Sequence, residues 1–152
     1  MAQDRRYWDS DAFLGYFNAE PDKSDACEGV LAAAEDGRIL IVTSALTIAE
    51  VIWAKNHGKV DASKRITIER FFRQPYISVH NVTRTIAEAG RSIVWDYGIK
   101  PKDAIHVSTA ITNNVPVMNT FDDGLLKHNG SIGDPRLIIE KPHEPHQQKF
   151  QL

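Results

Sequence analysis

The chain has 152 residues, a formal net charge of −2 and a hydrophobic fraction of 42%. That length can bury a real core in one domain, and the near-neutral balance excludes a coat protein that holds nucleic acid by bulk positive charge. No apolar run approaches the ~20 residues a membrane helix needs, no leader-like segment follows "MAQDRRYW", and the single cysteine, Cys27, points to a reducing compartment. A cytoplasmic protein that does not enter the membrane is the expectation.

Residues 5–9 predict a short strand that passes into a helix near 11–18. "PDKSDACEGVLAAAEDG" predicts a second helix, with Asp22 or Ser24 as its N-cap and Gly37 beyond its end. Cys27, Val30, Leu31 and Ala34 share one face of it, which places the cysteine in the core. "RILIVTS" is a β-branched apolar run of the kind found in a strand covered on both faces. "ALTIAEVIWAKNHGK" then predicts a helix ending near Gly58, and residues 62–73 another, closed by Pro75. "YISVHNV" predicts a strand.

In "RTIAEAGRSIVWDYG" the residues Ile86, Ala89, Gly90, Ile93, Val94 and Tyr97 fall on one helical face. "KPKDAIHVSTAITNN" opens a helix with Pro101 in its first turn. "VPVMNT" reads as a strand, "FDDGLLKH" as a short helix and "RLIIE" as a last strand. The alternation predicts an α/β fold of three layers, a mostly parallel sheet between helices. Residues 1–140 form one domain in this reading, and 141–152, rich in Pro, His and Gln, an extended or disordered tail. The three tryptophans, Trp8, Trp53 and Trp95, read as core or edge packing.

In open parallel sheets ligands bind beyond the carboxyl ends of the strands, where strand order reverses. Asp9 ends the first strand, Glu50 follows the second, Asp103 lies in the first turn of its helix, and Asp122 and Asp123 follow "VPVMNT". All can reach one sheet edge. Such a carboxylate cluster repels itself unless protons or cations neutralise it, and oxygen donors select Mg²⁺ or Mn²⁺. Each acid also has a plain reading: Asp9 and Asp11 as caps of the helix at 11–18, Asp122 or Asp123 as cap of the next, Asp103 as a helix N-terminal charge, Glu50 as a solvated position.

"YWDSDAF", "TSALTIAEV", "KPKDAIHVSTA" and "VMNTFDD", in this order, resemble the PIN-domain ribonucleases, especially the VapC-type toxins of bacterial toxin–antitoxin pairs. The resemblance covers about residues 5–128. It implies a metal-dependent endoribonuclease with Asp9, Glu50, Asp103 and Asp122 as catalytic acids, and one or two Mg²⁺ or Mn²⁺ ions on Asp9, Asp103 and Asp122. Ser10 and Thr120 match hydroxyl positions that could orient these groups, and Asp11 and Asp123 are additional acids beside them. His106 belongs to the same motif, as a packing and hydrogen-bonding residue in this reading. The resemblance also implies an antitoxin that docks a helix and an extended tail over the site, and a homodimer.

RNA contacts require local positive charge. Residues 55–73 carry six cations against two acids, with Lys55, Lys59, Lys64 and Arg65 as candidates. Two other readings compete. "DSD" imitates the Asp-x-Asp of haloacid-dehalogenase-like phosphatases, with Asp9 as nucleophile, Asp11 as acid/base and Thr43 or Ser44 on the phosphate, but that leaves Glu50 and "KPKDAIHVSTA" without work. The other is a PIN fold acting as a non-catalytic binding module.

Overall fold

The computed structural model describes residues 3–54 and 57–144. Strand β1 (Asp4–Trp8) leads into α1 (Ser10–Phe17) and α2 (Pro21–Glu35), and β2 (Ile39–Ser44) into α3 (Ala45–Glu50). A small hairpin, β3 (Trp53–Ala54) with β4 (Gly58–Lys59), precedes a 3₁₀ turn at Ala62–Lys64 and α4 (Arg65–Phe71). Then come β5 (Ile77–His80), α5 (Arg84–Tyr97), α6 (Pro101–Thr112), β6 (Val117–Asn119), α7 (Asp123–Leu126) and β7 (Ile138–Glu140).

The main sheet has five strands in the order β5-β2-β1-β6-β7, and every pairing in it is parallel. Alternation along the strands separates two cores. Trp8, Ile39, Ile41 and Ile77 face α1, α2 and α4, where Phe13, Phe17, Val30 and Ile68 join them. Tyr7, Val42, Met118 and Ile139 face the other way, onto α5, α6 and α7. The three-layer α/β/α arrangement is therefore present. The strand order reverses between β1 and β6, the two strands ending at Trp8 and Asn119.

Most elements fall where the sequence puts them, with two departures. The helix expected to run to Gly58 stops at Glu50 instead. Val51 leaves the helical region (φ −79°, ψ 61°), and Gly58 (φ +73°) serves the hairpin rather than a helix end. The β-branched pair Val51-Ile52 favours extended backbone there, with Val51 and Ala54 buried and Ile52 and Trp53 exposed between them. The second departure is α2, which starts at Pro21 with Glu20 as its cap residue, ahead of Asp22 and Ser24.

The tryptophans need correction as well. Trp8 is fully buried, but Trp53 is 64% and Trp95 82% exposed. On α5 the residues Ile86, Gly90 and Ile93 point inward, and Trp95 lies two residues, about 200°, beyond Ile93. Cys27 is buried, and that burial pushes its thiol up to about 12, so it stays protonated core.

Past β7 the chain is tied back to the domain. Arg6 reaches Glu144 at 3.0 Å and the His143 carbonyl at 3.0 Å, and Arg38 approaches Glu144 at 3.5 Å. Gly29 on α2 lies so close to the Glu144 carbonyl that a Cβ there would collide with backbone. The rest of the expected tail, 145–152, lies outside the described residues. Gly29→Ala should therefore lower stability by about 1 kcal/mol or more despite alanine's better helix propensity. A lowered urea midpoint with unchanged slope would be the sign; an unchanged midpoint would show that the segment yields.

Candidate active site

Asp9 leaves β1 and caps α1. Its Oδ1 accepts from the Ala12 N–H at 3.0 Å, and its Oδ2 from the Thr120 hydroxyl at 2.5 Å. Thr120 in turn accepts from the Asp122 N–H at 3.1 Å, so one hydroxyl joins the ends of the β1 and β6 segments. Beside it, Trp8 Nε1 donates to Asn119 Oδ1 at 3.1 Å. Thr43 Oγ1 stands 2.7 Å from both the Trp8 carbonyl and Thr47 Oγ1, tying β2 and α3 to the same corner.

Asp9 is only 2% exposed. Burial, then the negative charge of Asp11, pushes its carboxyl up to about 7, against the opposing pull of His106 and the Thr120 and Ala12 hydrogen bonds. The next two residues, Ser10 and Asp11, line a cleft of about 980 Å³ together with Glu50, Asp103 and Asp122 among others, and Asp9 itself is not part of that lining. Asp103 is pushed up to about 6, first by burial and then by the charge of Asp122, with which it shares a hydrogen bond. Asp122 also caps α7, accepting from the Gly124 N–H at 2.9 Å. Asp123 is exposed and lies in the first turn of α7. Asp9 and Asp122 each cap a helix, and the Thr120 hydroxyl joins the two.

Glu50 belongs to a buried chain of hydrogen bonds. His106 Nε2 is 2.6 Å from Glu50 Oε1, and its Nδ1 is 2.7 Å from the Tyr7 hydroxyl. Burial, with the Asp9 charge next, raises the Tyr7 pKa, so the phenol keeps its proton. Tyr7 O–H then donates to Nδ1, and Nε2–H donates to Glu50. His106 thus acts as the hydrogen-bonding residue the sequence suggests, with a defined partner on each nitrogen.

The carboxylates offer oxygen donors only, and two of them lie close enough to share a proton. That is the environment a hard divalent cation relieves. Among the described residues no group of three or more His, Cys, Asp or Glu side chains forms a cluster that could hold a metal ion by itself. Mg²⁺ does not need one, since it keeps several waters and takes one or two carboxylates. The donor set fits a hydrated divalent ion.

Of the basic candidates, Lys59 and Arg65 line a neighbouring groove of about 800 Å³, and Lys64 donates to the Phe17 carbonyl at 2.7 Å. Lys55 lies outside the described residues. The cations that line the acidic cleft are Lys100, Lys102 and Lys127. Two of them flank Pro101 in "KPKDA", one turn of helix or less from Asp103, so the signal was inside the motif.

A family model described as "PIN domain" matches residues 6–130. The chain belongs to the PIN-domain family. Among solved structures it is similar to the Mycobacterium tuberculosis toxin VapC20, described as cleaving the sarcin–ricin loop, with 12% identity, a TM-score of 0.62, and 78% of this chain and 90% of that one covered. A Klebsiella pneumoniae toxin–antitoxin complex gives 20% identity and a TM-score of 0.61, covering 91% and 98%. VapBC2 of Rickettsia felis, bound to a promoter DNA fragment, gives 17% and 0.61, covering 90% and 98%. No curated protein matches the chain in sequence. With the PIN family shown, the haloacid-dehalogenase-like reading of "DSD" loses its ground: Asp11 sits in the first turn of α1 as a cleft residue whose charge acts on Asp9 and Asp103.

The raised Asp9 carboxyl has a stability consequence. Its folded pKa lies above the ordinary value, so the metal-free protein is most stable below pH ~4 as far as this group is concerned, and loses that contribution as pH rises to about 7. Asp9→Asn removes the charge and keeps a capping oxygen. In EDTA at pH 7.5 the variant should be more stable than wild type by roughly 1–3 kcal/mol, with a shallower decline between pH 4 and 7. Urea unfolding at several pH values measures this; a destabilised variant would show that the charged form is the one the fold prefers.

Proposed function

We propose that this PIN domain is a metal-dependent endoribonuclease acting as the toxin of a toxin–antitoxin pair. The observation that carries the reading is the meeting of Glu50, Asp103 and Asp122 around one cleft, with the buried Asp9 linked to Asp122 through the Thr120 hydroxyl, at the point where strand order reverses. Asp103 and Asp122, with Asp9, would hold one or two Mg²⁺ or Mn²⁺ ions. When bound, such an ion would supply positive charge to a phosphodiester under attack and lower the pKa of water. Glu50, fixed through Oε1 by His106 and Tyr7, keeps Oε2 to take a proton from the attacking water. Thr120 orients the Asp9 carboxyl, and Ser10 lines the cleft.

An antitoxin partner goes with this reading. Two of the similar structures are toxin–antitoxin assemblies. The groove beside the cleft combines the apolar Ile48, Val51, Ile52, Ile68 and Phe72 with charged residues including Lys59, Arg65 and Glu69, a surface on which an amphipathic partner helix can pack.

Incubation with a mixed pool of tRNA and structured RNA tests the reading, with Mg²⁺ or Mn²⁺ and with EDTA. Wild type should cut only with metal, and Asp9→Asn and Asp103→Asn should lose at least 10²-fold in rate while remaining folded. Mg²⁺ should also raise the melting temperature of wild type more than that of Asp103→Asn. No cleavage by wild type under any metal condition would overturn the proposal. His106→Gln should cost roughly 10-fold or more in rate through Glu50; a variant that cleaves like wild type would show that His106 only packs.

A further inference from the structure

Trp53 is a large apolar side chain left 64% exposed, with no hydrogen bond or ring contact to any described residue. It stands three residues after Glu50 on β3 and lines the acidic cleft. It does not line the neighbouring apolar groove, although Ile52 lines both. The same cleft takes Lys100 and Lys102 from the start of α6 and Lys127 from the end of α7. An indole and three ammonium groups therefore share one cavity with the acids.

That combination suits a polyanion carrying flat apolar rings. The acids alone would repel a phosphate chain, and the lysines offset this. Every nucleobase presents a π face, and an exposed indole stacks on it without reading sequence. A base inside a duplex has both faces covered by its neighbours, so only an unpaired one can use the indole. The neighbouring groove also carries charge, on Lys59, Asp61, Arg65, Glu69 and Arg73, so what sets the cleft apart is the exposed indole beside three lysines and the acids.

We propose that Trp53 is the platform on which one unpaired base of an RNA strand stacks, with Lys100, Lys102 and Lys127 taking the flanking phosphates. The inference rests on the ribonuclease reading and adds a positioning residue, the exposed indole of Trp53, with the lysines that flank it. Trp53 positions the strand, and the acids do the chemistry.

The test compares wild type, Trp53→Ala, Trp53→Phe and Lys102→Ala. Binding of a fluorescein-labelled, unstructured 12-nucleotide RNA is followed by anisotropy with Ca²⁺ in place of Mg²⁺, alongside cleavage of the RNA pool with Mg²⁺. Because Trp53 is exposed, its variants should melt like wild type. Trp53→Ala should bind roughly 5- to 150-fold more weakly. Trp53→Phe should recover most of that loss, and the same oligonucleotide in a duplex should bind wild type no better than it binds Trp53→Ala. Lys102→Ala should weaken binding and lower the salt dependence by about one ion. A Trp53→Ala protein that binds and cleaves RNA like wild type would overturn the inference while leaving the nuclease intact, and would assign the exposed indole to a protein partner. A wild type that neither binds nor cleaves RNA would overturn the ribonuclease reading, and this inference with it.

Discussion

The Thr120 hydroxyl is the joint of this molecule. It donates to the Asp9 carboxylate and accepts from the Asp122 N–H, so a single oxygen spans the two strand ends at which the sheet changes direction. In a parallel sheet those ends are where backbone donors and helix starts gather, and side chains there share one volume by topology alone. Thr120 adds a fixed distance between the segments carrying two of the acids. The capping bonds of Asp9 to Ala12 and of Asp122 to Gly124 extend the constraint into α1 and α7.

Charge is arranged around that joint in layers. Burial pushes the carboxyl of Asp9 up to about 7 and that of Asp103 up to about 6. Lys100, Lys102 and Lys127 lie with Asp103 and Asp122 on the cleft lining. Such an arrangement stores repulsion in the metal-free protein, a cost typical of sites poised for ligand rather than for stability. Tyr7 and His106 form a chain of hydrogen bonds that holds Glu50.

Legibility in the sequence followed the length scale of each signal. The strands and the long amphipathic helices α2, α5 and α6 were readable because their apolar periods run over several turns. Asp9, Glu50, Asp103 and Asp122 stand out in the sequence through the order of their motifs; Glu50, Asp103 and Asp122 line one cleft, while Asp9 is buried outside its lining and linked to Asp122 through Thr120. The hairpin after Glu50 was not readable, because its strands are two residues long and "EVIWAKNHG" fits a helical stripe equally well. Placing Trp53 on a helix is what made it look like core. The lysines of the cleft were missed because Lys100 and Lys127 are distant in sequence, whereas a dense run at 55–73 drew the eye. Only folding brings sparse charges together, so density along the chain is a poor guide to density in space.

Strand β1 serves both cores and the site within three residues. Tyr7 points to one core, where it holds His106, and Trp8 to the other, where it packs on Phe13, before Asp9 turns into α1. Adding or deleting one residue in β1 would swap those faces and carry Asp9 away from Thr120 in the same stroke. The β3–β4 hairpin bears no such double duty. Length variation in descendants of this chain should therefore collect in the hairpin and spare the first strand, whatever happens to their side chains.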